Sequence, residues 1–293
     1  MTVTILDGGI SRELQKLGAP FRQPEWSALA LIETPELVGA AHDLFAVAGA
    51  DVITTNSYAV VPFHLGEARF ASEGVRLAEL AGQLARSVAD QRGVKVAASL
   101  PPVLGSYRPD LFEAGQARAI LEVLISGLSP YADIWLAETL STLAEARLIG
   151  ELLAGDPRPL WLSFTLDDRA LAPAATLRSG ERVRAAADLA VELGVQALLF
   201  NCSRPEVMDA AVREAKAALA DSGIAIGVYA NGFGAEDEGV AANEVIRAIR
   251  ADLDPARYLG WAKQWVASGA RIVGGCCGIG PAHVAALAQD LRT

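Results

Sequence analysis

Cysteine is scarce in this chain, with three residues in 293, at positions 202, 276 and 277. Three thiols cannot all pair with one another, and a reducing compartment disfavours disulfides, so they are read as thiols or metal ligands and not as staples. Positive charge is short as well: 25 Lys and Arg against 35 Asp and Glu give a formal net charge of −10. There is no basic stripe, and an acidic surface repels polyanions, which argues against a nucleic-acid partner. Long apolar runs are missing, none reaching the ~18 residues a membrane span needs. The opening stretch MTVTILDGGI lacks the cationic region and apolar run of a signal peptide, so a cytoplasmic protein is expected. Linkers, low-complexity segments and long internal repeats are also lacking, and one domain over residues 1–293 is the expectation.

Apolar residues, by contrast, make up 52% of the chain, ample for a large core. They fall into eight short runs: TVTILDGG, ADVITTNSY, VKVAASL, ADIWLAET, PLWLSFTL, VQALLFNCS, IAIGVYANG and ARIVGGCC. Nearly continuous runs suit parallel strands buried on both faces. Between them lie Ala-, Leu- and Glu-rich segments with helical spacing, several opened by helix-start residues: Thr34-Pro35, Ser203 ahead of Pro205, Asp254-Pro255 and Pro281. Strict alternation predicts an α/β protein, a single-domain (β/α)8 TIM barrel, in preference to an open doubly wound sheet. The segment 231–269 is longer than one crossover needs and predicts an additional helix before the last strand.

Barrel active sites lie at the carboxyl ends of the strands. The runs end on Asp7-Gly8-Gly9, Thr54-Thr55-Asn56, Ser99, Glu138-Thr139, Ser163, Asn201-Cys202, Asn231 and Cys276-Cys277, so all three cysteines fall on this rim. Alternate strands share an interior layer, which lets the sixth and eighth bring their thiols together without a local metal motif. Each cysteine alone can be a small buried hydrophobe, and the adjacent pair a chance occurrence or a strained vicinal disulfide. A thiolate trio binding Zn2+ accounts for all three at once and leaves a fourth position open, the mark of a catalytic site. Three thiolates give the centre a net negative charge and make it a poor Lewis acid, but a substrate thiol entering it would ionise and stay nucleophilic. Alkylation of a thiol by a cationic methyl donor fits such a centre, and aromatic faces can hold such a donor.

The stretches LDGGISREL, AGADVITTNSY, AETLSTLAEA, FNCS and GARIVGGCCGIGPAHVAAL resemble the homocysteine S-methyltransferase family, zinc-dependent barrels that include betaine– and S-methylmethionine–homocysteine methyltransferases. The resemblance implies Cys202, Cys276 and Cys277 as zinc ligands, with Asp7, Gly8, Thr55 and Glu138 holding the amino-acid substrate. Asp7 and Glu138 would pair with its α-ammonium, while backbone N–H groups and Thr55 would bond its carboxylate. Asp7 as a plain turn residue and Glu138 as a solvated helix-start carboxylate are the bland alternatives. Asn56 and Asn201 read as supporting or loop-ordering residues, and His42, His64 and His283 as surface or helix-end residues. The glycines around Cys276 lack the lysine of a phosphate loop.

Two stretches depart from the family pattern: the loop SLPPVLGSYRPDLF, marked by Pro101-Pro102, looks shortened, and Ala230 stands where proline is usual. The implied reaction is methyl transfer from S-methylmethionine or S-adenosylmethionine to L-homocysteine, giving methionine. Its partners would be a small-molecule thiol and a methyl donor, without nucleic acid, membrane, cobalamin or folate modules. Betaine or a dimethylsulfonio donor, another thiol or selenol acceptor, and a non-catalytic zinc-binding or redox-sensing barrel are the alternatives.

Overall fold

Runs such as Leu-Trp-Leu-Ser-Phe can bury successive side chains only in a strand covered on both faces. The computed structural model describes residues 2–169, 174–234 and 249–292, and in it eight such runs are strands. They are β1 Thr4–Ile5, β2 Val52–Thr54, β3 Lys95–Leu100, β4 Ile134–Leu140, β5 Leu160–Phe164, β6 Ala197–Asn201, β7 Ala225–Tyr229 and β8 Ile272–Val273. Hydrogen-bonded neighbours follow the order β1-β8-β7-β6-β5-β4-β3-β2, all parallel. A parallel bridge between Leu6 and Val52 closes the ring, supported by Asp51 N donating to Ile5 O at 2.7 Å and Asp7 N to Val52 O at 3.1 Å. The predicted (β/α)8 barrel is therefore what forms.

Among the described residues the helices are α1 Ile10–Lys16, α2 Ala28–Glu33, α3 Pro35–Val47, α4 Pro62–Leu65, α5 Glu67–Arg92, α6 Ala114–Leu128, α7 Leu143–Leu152, α8 Val183–Glu192, α9 Pro205–Ala218, α10 Pro255–Ser268 and α11 Pro281–Leu291. The prolines picked from the sequence each sit at the first helical position, where no backbone donor is lost. Thr142 and Glu145 form a reciprocal capping box on α7. The long α5 stops at Gly93, whose φ of 71° is a left-handed cap. The additional helix expected before the last strand would fall on residues 235–248, outside the described residues.

Two apolar layers hold the barrel. The larger lies between the strands and the helix ring; the smaller fills the barrel with Leu6, Val52, Ala97, Ile134, Leu136, Trp161, Ala197, Leu199, Tyr229 and Ile272. The interior is thus a plug of side chains, and the carboxyl-end mouth is where barrel chemistry sits. No described helix is long and apolar enough to cross a membrane.

Candidate metal centre and substrate cavity

Cys202 follows β6 directly, and Cys276 and Cys277 follow β8 after Gly274-Gly275. Cys276 N donates to Ala230 O at 2.9 Å and Gly232 N to Cys277 O at 2.7 Å, which anchors the pair to the loop after β7. Tyr258 of α10 donates its hydroxyl to Gly274 O at 2.7 Å, fixing the strand end from behind. Across the seam, a Cβ at Gly8 would meet Ile279 O at 2.2 Å, and one at Gly9 would meet Cys276 O at 2.5 Å. Only glycine lets the first-strand loop and the cysteine loop approach this closely.

All three sulfurs lie within 4.8 Å of one another, with Cys202 Sγ and Cys276 Sγ 2.7 Å apart. The neighbouring Cys202 and Cys276 thiols hold Cys277 well below the usual thiol range, while the Cys202 and Cys277 sulfurs, with burial, push Cys276 up. The trio shares its protons as a unit, and soft thiolate donors at this spacing are a set that a metal such as zinc takes.

Two carboxylates face the same cavity. Asp7 accepts from Thr54 N at 2.6 Å and Thr54 Oγ1 at 2.9 Å. Glu138 accepts the Ser99 hydroxyl in a short bond and the Tyr229 hydroxyl at 3.4 Å. Burial pushes both up to about 7, against the lowering effect of those bonds; Glu138 also raises Asp7, and Cys202 raises Glu138. Neither is a solvated turn or helix-start residue. Two such groups are costly to ionise without a cation between them, and a substrate ammonium is a cation of the right kind.

Glu138 is aimed by an irregularity in its strand. The β4–β5 register shifts between Ala137 and Leu140, and Thr139 takes a φ of 59°, which is unusual for a β-branched residue. Asn201, fully buried, holds that kink: its Oδ1 accepts Thr139 N at 3.0 Å and the Ser163 hydroxyl at 2.8 Å, while Nδ2 donates to Thr139 Oγ1 at 2.8 Å. Its neighbour Cys202 also has a positive φ, 51°. Asn201 therefore ties the strand end bearing Glu138 to the strand end bearing Cys202.

Thr55 and Asn56 both line the cavity. Thr55 Oγ1 accepts Ser99 N at 3.0 Å and pairs with the Ser57 hydroxyl at 2.8 Å, and Ser57 donates onward to Ser99 O. With Ser57's hydrogen committed to Ser99, the Thr55 hydroxyl hydrogen goes to Ser57, so this side chain braces the strand ends. Asn56 donates from Nδ2 to Ser27 O at 3.1 Å, while its buried Oδ1 has no partner in the structure.

The remaining walls include Phe21, Trp26, Tyr58, Tyr107, Tyr229 and Phe233. Arg12 also lines the cavity, with its guanidinium carbon 5.9 Å from the centre of the Phe233 ring. Sequence reasoning passed over Arg12; its position five residues after Asp7, at the start of a helix opening on the rim, was the available signal. The histidine expectation holds only for His283, whose ring receives Gly280 N at the start of α11. His64 is buried on the cavity wall, with Nδ1 2.8 Å from Pro24 O. His42 is fully buried in α3, because that face of the helix packs inward.

Fold and site together define a (β/α)8 barrel enzyme with a three-cysteine group able to hold a metal. The family model for homocysteine S-methyltransferase matches residues 4–291. Homocysteine S-methyltransferase of Escherichia coli K12 is 30% identical over 313 residues, spanning 97% of this chain and 94% of its own length. Homocysteine S-methyltransferase 1 of Brassica oleracea var. italica is 29% identical, spanning 98% and 93%. The crystal structure of the metallated form of the E. coli homocysteine methyltransferase MmuM matches with a TM-score of 0.79 at 28% identity, over 99% of this chain and 96% of that one. The chain belongs to the homocysteine S-methyltransferase family.

Proposed function

We propose that this enzyme transfers a methyl group from a sulfonium donor, S-methylmethionine or S-adenosylmethionine, to the thiol of L-homocysteine, giving methionine. The observation that carries this reading is the convergence of Cys202, Cys276 and Cys277, all within 4.8 Å, beside two buried carboxylates in one cavity. The three cysteines would hold a zinc ion, whose chemistry there is to keep a substrate thiol deprotonated and nucleophilic at neutral pH.

The chain's own residues do the rest. Asp7 and Glu138 receive the α-ammonium of homocysteine, which relieves the cost of two buried carboxylates. Asn201, Thr55 and Ser99 keep those strand ends in register. The aromatic walls exclude water and present π-faces to a cationic methyl centre. The substrate thiol gives up its proton to solvent on binding; its sulfur then forms a C–S bond to the methyl carbon as the donor's C–S bond breaks. The electron pair of the broken bond leaves with the donor as a neutral thioether. Alignment of the two sulfurs supplies the rate enhancement, and no protein base is required.

Cys277→Ala tests this reading. Loss of bound metal and of methyl transfer together, with unchanged secondary structure, is the expected result; full metal content and normal turnover would overturn it.

A further inference from the structure

Three side chains around segment 24–27 each spend a donor inside the protein. His64 Nδ1 lies 2.8 Å from Pro24 O, Asn56 Nδ2 donates to Ser27 O at 3.1 Å, and Trp26, between those two carbonyls in the chain, donates Nε1 to Ser11 Oγ at 2.7 Å. All three side chains line the cavity, and the rings of Trp26 and His64 stand 6.3 Å apart. A carbonyl oxygen can only accept, so Nδ1 of His64 carries the proton in this bond. Burial keeps the ring neutral at neutral pH, and a neutral imidazole protonated at Nδ1 has a bare lone pair at Nε2.

That lone pair is unused. Nε2 has no protein partner among the described residues, yet it is not one of the sealed, unpaired nitrogens of the interior, as both nitrogens of His42 are. With the ring on the cavity wall, Nε2 opens on the cavity. Asn56, 1% exposed, adds an Oδ1 that is buried and unpartnered, an acceptor that is costly to leave empty. A wall that offers acceptors beside an aromatic face suits a ligand group that brings hydrogens and positive charge. An ammonium brings both and no lone pair; a hydroxyl brings lone pairs as well, and a carboxylate brings nothing else.

Resting on the methyl-transfer reading, we infer that His64 is a specificity-determining residue whose Nε2 receives an N–H of a substrate α-ammonium beside the Trp26 ring. Both proposed substrates carry that group. Homocysteine keeps a third N–H once Asp7 and Glu138 have each taken one, and an amino-acid sulfonium donor has its own. The chemistry His64 recognises is the same in either case, and the source is read from which substrate feels its loss.

Two variants separate this role from that of a brace on Pro24. Asparagine reaches only as far as Nδ1, so His64→Asn keeps a donor for Pro24 O and removes the acceptor; glutamine reaches as far as Nε2, so His64→Gln restores an acceptor there and gives up the bond to Pro24. The zinc-loaded wild type and both variants are assayed with homocysteine and S-methylmethionine, and with the desamino counterpart of each, the other substrate saturating. His64→Asn should lower kcat/KM by about 10- to 100-fold on at least one of the two amino acids, the worth of a hydrogen bond to a charged group. The loss should fall on KM with kcat little changed, and it should vanish with the desamino counterpart. His64→Gln should recover part of it, with zinc content at the wild-type value throughout. A loss on homocysteine assigns His64 to the acceptor's ammonium, and a loss on S-methylmethionine assigns it to the donor's. Equal loss on an amino acid and its desamino counterpart, no loss on either amino acid, or harm from His64→Gln with none from His64→Asn would overturn the assignment. Absence of methyl transfer to homocysteine by the wild type from any onium donor would overturn the parent reading, and this inference with it.

Discussion

At the scale of single residues, the site is organised by buried groups whose charge is unfavourable until a ligand arrives. Glu138→Gln removes one of the two carboxylates proposed to receive the ammonium, and homocysteine affinity should fall by ~1.5–3 kcal/mol, roughly 10- to 100-fold in Kd. Calorimetric titration checks this, and unchanged affinity would take Glu138 out of the site. Because Glu138 and Asp7 are pushed up to about 7, a growing fraction must lose protons to receive the ammonium as pH falls below that value. Binding should therefore strengthen as pH rises from 6 to 8, and the slope should be shallower in Glu138→Gln. His42 tests burial away from the site. Burial pushes it from 6.5 down to about 4, and neither ring nitrogen has a partner. The unfolded chain takes up a proton below about 6.5 and the folded one only below about 4. The neutral-imidazole contribution to stability is thus fully present above 6.5 and lost as pH falls toward 4, by about 3 kcal/mol. Thermal melts of His42→Leu should lose less stability over that window than the wild type.

At the scale of elements, the cysteine loop is seated by the loop that follows β1. A Cβ on Gly9 would meet Cys276 O at 2.5 Å and Cys277 Cα at 2.9 Å, and neither is the end of a flexible side chain. Gly9→Ala should therefore displace the cysteine loop and lower metal affinity, read by competition with a chromophoric chelator. Gly18→Ala is the control. Its φ of 85° is strained for alanine but a Cβ there meets nothing, so it should cost about 1 kcal/mol of stability and leave metal binding intact. The strand endings were legible in the sequence because each apolar run stops where a polar residue must face the mouth. The irregularities were not. The register shift at Glu138-Thr139 and the left-handed Thr139 are held by Asn201 reaching 62 positions back to Thr139, a pairing that no local pattern encodes. The Thr55–Ser57–Ser99 brace escaped notice for the same reason, since its bonds form only once β2 and β3 are neighbours.

At the scale of the whole molecule, the barrel was legible because parallel strands buried on both faces leave an unmistakable run-and-helix alternation. What the pattern could not express is how little strand the seam needs: β1 and β8 are two residues each, and a single bridge joins β1's end to β2. Close glycine packing takes the place of a longer ladder there. The sulfurs stand at the mouth, with Cys276 packed on the end of the layer that fills the barrel and none of the three a member of either apolar layer. Removing metal with a chelator should accordingly leave the far-ultraviolet circular dichroism spectrum unchanged while abolishing turnover. The most direct measurement is methionine formation by the zinc-loaded chain with homocysteine and S-methylmethionine, S-adenosylmethionine or betaine in turn, beside a metal-stripped control. Product that depends on zinc and forms from a sulfonium donor is the expected result; equal product from the stripped protein, or none from either sulfonium donor, would contradict the account.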